Sequence, residues 1–137
     1  MTEQHVLAIT THGRGSREIT AQIAALLDAA AVDCGIAHVF VRHTSCSVAI
    51  TENADPEVRT DLETLLARWA PDGDPAYHHS QEGRDDMAAH ARTLLTGSSV
   101  SVPFAGRRLL LGTWQGIYLF EHRTQGHRRE VVVTLLG

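Results

Sequence analysis

Fourteen residues, YHHSQEGRDDMAAH at 77–90, hold three of the chain's nine histidines with two aspartates and a glutamate. Imidazoles and carboxylates bind transition metals and carry protons near neutral pH, so this segment could build a metal centre or an acid–base site. If 84–96 is helical, Asp86 and His90 stand four residues apart on one flank, and Asp85 points elsewhere. An aspartate so placed fixes the imidazole tautomer and raises its basicity, as it does behind metal ligands and in acid–base catalysis. On an exposed flank the same pair is an ordinary contact worth roughly 0.3–0.5 kcal/mol. His78 and His79 precede the helix, and only one of two consecutive residues faces inward in an extended segment. Neither HExxH nor CxxC occurs, so the segment alone is not a zinc signature.

Other groups lie elsewhere in the chain. In IAHVFVRHTSCSVAI, strand alternation puts His43 in phase with Ala37, Val39 and Val41, and Ser45 and Ser47 continue that side with Cys46 opposite. This phase disfavours a Cys46–His43 nucleophilic pair. In GTWQGIYLFEHR, Glu121 is in phase with Ile117 and Leu119, and a carboxylate on an apolar face requires a partner or a proton. Trp114 and Gln115, bracketed by Gly112 and Gly116, suit a pocket wall or a core plug. Arginines at 14, 107, 108, 123, 128 and 129 are candidates for phosphate, Arg14 above all because GRGS precedes a helix. GRG alone is neither a P-loop nor a dinucleotide fingerprint. Asp55 of ENADPE already has a sufficient role as a helix cap.

The elements that must position these groups alternate early and become strands late. HVLAITT (5–11) reads as a strand, broken by GRGS before a helix with Ile19, Ile23, Leu26, Leu27 and Ala30 on one face. Strands at 36–43 and 46–51 follow, then a helix capped by Asp55-Pro56 and carrying Val58, Leu62, Leu65, Leu66 and Trp69. PDGDP breaks the chain before the third helix, whose stripe of Met87, Ala91, Leu94 and Leu95 is expected to build core. SSVSVPF, RLLLGT, GIYLFEH and EVVVTLL complete the chain as strands. Four consecutive strands at the end favour one α+β domain over 1–137 with mixed, mostly antiparallel sheets and about three helices.

At 137 residues, one core can form, because a domain of this size buries roughly 68% of its unfolded surface. The composition, 43% hydrophobic and 20% charged, is that of a soluble globular chain. A net charge of -4 gives no general attraction to nucleic acid or an anionic membrane. No signal-peptide pattern or spanning stretch appears, so no membrane association and a cytoplasmic location are expected. Two cysteines, Cys34 and Cys46, do not make a disulfide framework.

HTSCSVAITENADPEVRTDLE, HHSQEGRDDMAAH and LGTWQGIYLFEHR…RREVVVTLLG resemble the YjbQ-like, or secondary thiamine-phosphate synthase, family from about residue 36 to the end. GTWQGIY is the distinctive motif, and residues 11–23 carry a looser TxGxG echo. The resemblance implies a small α+β fold, a homotrimer and a weak ability to join the pyrimidine and thiazole halves of thiamine as the monophosphate. It places the family's histidines at His43, His79 and His90, a set that with water would leave the open position of a catalytic zinc. His43, Ser45, Asp86 and Glu121 are then the candidate catalytic residues, and Trp114, Gln115 and Arg128 the candidate substrate contacts. The ligand types favour zinc, whereas thiamine-phosphate formation calls for magnesium. The expected partner is a small, phosphorylated molecule. A metal-assisted hydrolase or lyase and a non-catalytic trimeric binding protein are the alternatives. Arg84 and Ala88 stand where the family commonly has prolines, and Phe120 replaces a frequent cysteine, which argues further against cysteine chemistry.

Overall fold

The structure is a computed structural model that describes residues 1–137. Its strands are β1 (Thr2–Thr10), β2 (Gly15–Glu18), β3 (Cys34–Val41), β4 (Cys46–Glu52), β5 (Ser99–Ala105), β6 (Arg108–Leu109), β7 (Gln115–Glu121) and β8 (Arg128–Leu136). Its helices are α1 (Thr20–Asp28), α2 (Pro56–Trp69) and α3 (Asp86–Thr96). A five-stranded sheet runs β1-β8-β3-β5-β6 and a three-stranded sheet runs β2-β7-β4. Every pairing is antiparallel, as the run of late strands implies.

The period-two pattern decides the core. Ala37, Val39 and Val41 of β3 lie beside Val131, Val133 and Leu135 of β8, and all are buried. Cys46 and Val48 of β4, Ile117 and Leu119 of β7, and Ile23 and Leu27 of α1 close on them to form one core. β7 does not alternate: Tyr118 and Phe120, on its second face, are buried too. That face lies under α2 and α3, where Phe120 shares a cleft with Leu62, Leu66 and Leu95. A strand covered on both sides reads as a continuous apolar run, which is what GIYLF is. Gly35 marks the tightest backbone approach, for a Cβ there would lie 1.8 Å from the Leu136 carbonyl oxygen. The start of α2 is as expected, with the Asp55 carboxylate accepting from the Glu57 N–H at 2.9 Å and proline opening the helix.

Three expectations fail, and the first is the strand over RLLLGT, which ends at Leu109. The segment expected as a break, GRGS, enters β2, a short strand on the edge of β7 with Gly15 opposite Glu121. Pairing to a buried neighbour overrides the weak local strand propensity of glycine. The α3 stripe is also misassigned: Leu94 and Leu95 are 87% and 59% exposed. The helix instead buries Asp86, Ala88, Ala89, Arg92 and Thr93. Arg92, 1% exposed, donates to Glu63 Oε1 at 2.5 Å and to the Ala70 carbonyl at 3.3 Å. The helix therefore docks through small residues and one paired cation, and its leucines face out.

Candidate functional site

The loop after α2 and the first turns of α3 assemble the candidate site. Asp85 and Asp86 divide the work. Asp85 Oδ2 accepts from Arg123 Nε at 2.9 Å, from the Thr124 N–H at 2.8 Å and from the Thr124 hydroxyl at 3.2 Å, tying the β7–β8 loop to the helix start. Asp86 pairs its Oδ1 with Arg123 Nη1 at 3.0 Å and turns Oδ2 to the histidines. His79 Nε2 lies 2.6 Å and His90 Nε2 3.1 Å from that one oxygen. The His79, Asp86 and His90 donor atoms all lie within 4.8 Å of one another. The Asp86 side chain is 7% exposed, against 45% for His79 and 31% for His90. The group is thus buried at its carboxylate and open at its imidazoles.

The second nitrogen of His90 fixes its tautomer. His90 Nδ1 lies 2.9 Å from the Thr44 carbonyl oxygen, which only accepts, so Nδ1 carries the proton. In the neutral ring Nε2 then presents a lone pair to the Asp86 carboxylate. Two lone pairs at 3.1 Å repel unless a proton or a cation lies between them. Burial pushes the Asp86 carboxyl up, but the bond from His79 and the positive fields of His90 and Arg123 outweigh it and hold the group below the ordinary carboxylate range.

His43 stands apart from this group. Its Nε2 accepts the Glu130 N–H at 2.8 Å, so its proton is on Nδ1 and Nε2 is occupied. Burial, and then the charge of Arg129, lower its basicity. His43 and His90 do share a cleft of about 380 Å³ with Thr44, Thr93, Leu94 and Ser98.

Glu121, 1% exposed, has the partner its position demands. Arg129 Nε donates to Oε1 at 2.8 Å and Arg129 Nη2 to Oε2, while the Thr11 hydroxyl adds a bond to Oε1 at 2.6 Å. Ser45 Oγ accepts from the same guanidinium at 3.0 Å. Arg128, the arginine chosen from sequence, is exposed, and its neighbour Arg129 is the buried one. The signal was available, since Arg129 is in phase with Val131, Val133 and Leu135. Trp114 is 63% exposed. Gln115 closes its own turn, its Oε1 accepting the Gly112 N–H at 2.8 Å. Arg14 is consumed by Asp72, at 2.7 and 2.9 Å, and by the His122 carbonyl.

His122, absent from the sequence-derived candidates, is fully buried. The Thr96 hydroxyl donates to the Arg92 carbonyl at 2.7 Å and lies 2.5 Å from Ser47 Oγ, which lies 2.8 Å from His122 Nε2. Thr96 spends its proton on a carbonyl, so Ser47 donates to Thr96 and His122 Nε2–H donates to Ser47. His122 Nδ1 remains a buried acceptor without a partner. Burial, with the charges of Arg92 and Arg14 adding to it, lowers its pKa from 6.5 to about 3. No pattern in the sequence distinguishes this ring from a surface histidine at a strand end.

The model of the family described as UPF0047 protein YjbQ-like matches residues 5–137. UPF0047 protein sll1880 of Synechocystis sp. is 46% identical over 134 residues, 98% of this chain and 91% of that protein. UPF0047 protein YjbQ of Escherichia coli O157:H7 is 39% identical over 138 residues, 100% and 99% of the two chains. The crystal structure of the conserved hypothetical protein TT1486 from Thermus thermophilus superposes with a TM-score of 0.86 at 36% identity, covering 96% of this chain and 99% of that one. Over nearly its whole length, then, this chain belongs to the UPF0047 YjbQ-like family.

Proposed function

We propose that this protein is a small-molecule enzyme that uses a divalent metal held by His79, Asp86 and His90 to act on a phosphorylated substrate. The observation that carries the reading is the convergence of two imidazole nitrogens on Asp86 Oδ2, with His90 Nδ1 held by the Thr44 carbonyl. Two imidazoles and a carboxylate are a catalytic zinc donor set that leaves a position for substrate, and they are unlike the oxygen shell magnesium prefers. Bound there, such an ion would polarise a phosphoryl or carbonyl oxygen and neutralise charge on a leaving group. The protein's own part is positional. Arg123 holds Asp86 Oδ1 so that Oδ2 faces the histidines, and Thr44 fixes the His90 ring.

The resemblance to secondary thiamine-phosphate synthases supplies the first reaction to assay. There the thiazole nitrogen attacks the pyrimidine methylene as diphosphate leaves, and the departing charge must be neutralised. Metal-assisted hydrolysis or elimination at a phosphorylated substrate fits the same donor set.

The test is elemental analysis of protein purified without a histidine tag or added metal, beside His79→Ala, Asp86→Asn and His90→Ala. Near-stoichiometric zinc in the wild type, lost in all three variants and retained in His43→Ala, is the expected result. Wild-type protein that holds no divalent metal even after reconstitution overturns the reading. Turnover of the two thiamine precursors then separates transfer from hydrolysis.

A further inference from the structure

We propose that Arg84, across a cleft from His79, is the anion-binding subsite for the substrate of that same site, selecting small molecules that end in a phosphate or a carboxylate. This inference rests on the metal-site reading only for where the substrate's other end lies. The cleft, about 330 Å³, is lined by Gly73, Tyr77, His79, Ser80 and Arg84 among others. His79 therefore links the two: its Nε2 points at Asp86, and the residue also lines this cleft. A substrate group seated here would be adjacent to the His79–Asp86–His90 group.

Arg84 is the uncommitted cation of this region. The arginine ion pairs of the molecule are made by Arg14, Arg42, Arg92, Arg123 and Arg129. Arg123, the other guanidinium near the site, is spent on Asp85, Asp86 and the Glu82 carbonyl. Arg84 is also placed rather than loose. A Cβ on Gly73 would lie 2.4 Å from Arg84 Cζ and 2.5 and 2.6 Å from its two Nη atoms. Those nearly equal distances put the flat face of the guanidinium on the glycine, leaving the in-plane N–H donors free. Gly73, with φ +64, also donates its N–H to the Arg84 carbonyl at 2.9 Å, so the turn and the arginine are locked as one unit.

The rest of the wall carries one carboxylate, Asp74, and the phenol of Tyr77, each held by the backbone. Asp74 turns Oδ1 to the Ala76 N–H at 2.9 Å, and the Tyr77 hydroxyl donates to the Pro71 carbonyl at 2.8 Å. Beside them the Arg84 fork offers paired donors matched to two oxygens of a phosphate or a carboxylate. The cleft that His43 shares with His90, the other histidine of the group, has no arginine. The two clefts give the site a direction, with the charged end of the substrate toward Arg84.

The experiment is calorimetric titration of the full-length protein with inorganic phosphate and, separately, with acetate, with zinc content measured on every sample. Phosphate or acetate binding that weakens by roughly tenfold or more in Arg84→Gln, recovers in part in Arg84→Lys and is unchanged in Arg108→Gln is the expected result. Gly73→Ala, whose Cβ takes the space of the guanidinium, should reproduce the loss with zinc retained. The anion that binds decides between the two oxyanion classes. Neither anion binding the wild type, or affinity unchanged in Arg84→Gln, overturns the subsite. So does binding lost only in His79→Ala, because the anion would then sit on the metal. A wild type free of zinc that still loses phosphate with Arg84→Gln would sink the metal reading and leave the subsite standing.

Discussion

Glu121 and Arg129 face each other across the β7–β8 loop with 1% and 4% of their surfaces exposed, and both carboxylate oxygens meet the guanidinium. Removing one member strands a buried charge, so Arg129→Leu should cost about 3–5 kcal/mol of stability in urea denaturation. Glu121→Leu combined with Arg129→Leu should recover much of that loss. A double variant no more stable than the single one would contradict the pairing. Burial pushes the Glu121 carboxyl up, but the bonds from Arg129 and Thr11 hold it below its ordinary value. Its stabilisation is therefore complete above the unfolded carboxylate range and is lost as pH falls through the lower folded value.

His122 adds acid sensitivity of a different origin. Its folded pKa of about 3 lies below the ordinary 6.5, so between those values the unfolded chain binds a proton that the folded chain refuses. The penalty is absent above the ordinary value and grows as pH falls, with a slope approaching about 1.4 kcal/mol per pH unit for one group. His122→Phe should flatten the pH dependence of the melting temperature across that window. An unchanged slope would show that His122 does not titrate with unfolding.

Asp55 caps α2 through one bond to the Glu57 N–H. Asp55→Ala should cost about 1 kcal/mol, and Asp55→Ser should restore most of it. Thermal denaturation measures both.

The family resemblance implies a homotrimer, and α3 displays Leu94 and Leu95 outward, 87% and 59% exposed. Mass photometry of the wild type should give three times the chain mass. Leu94→Glu with Leu95→Glu should shift it to the monomer while leaving the far-ultraviolet dichroism unchanged, because neither side chain is in the core. A monomeric wild type would remove the trimer.

Local periodicity reveals much of this fold and only part of the candidate site. Ala37, Val39 and Val41, Ile23 and Leu27, and the Asp55 cap are legible because each depends on spacing within one element. Asp86 and His90 are legible for the same reason. The α3 face is not, because Arg92 is drawn inward by Glu63 and the Ala70 carbonyl, partners far off in sequence. β2 is hidden by its glycine and becomes a strand only beside β7. The position of His43 depends on the Glu130 N–H, and that of His90 on the Thr44 carbonyl. No pattern of side chains encodes a backbone partner.

That carbonyl belongs to the link between β3 and β4, where three successive residues each hold a different neighbour. His43 receives the Glu130 N–H, Thr44 receives His90, and Ser45 receives Arg129 through its hydroxyl and the His122 N–H through its carbonyl. Connecting segments are ordinarily where a chain accepts extra length. Here a single inserted residue would throw the three ties out of step, releasing α3 and the His90 ring while both sheets stayed paired. This short connection thus behaves as a ruler of fixed length.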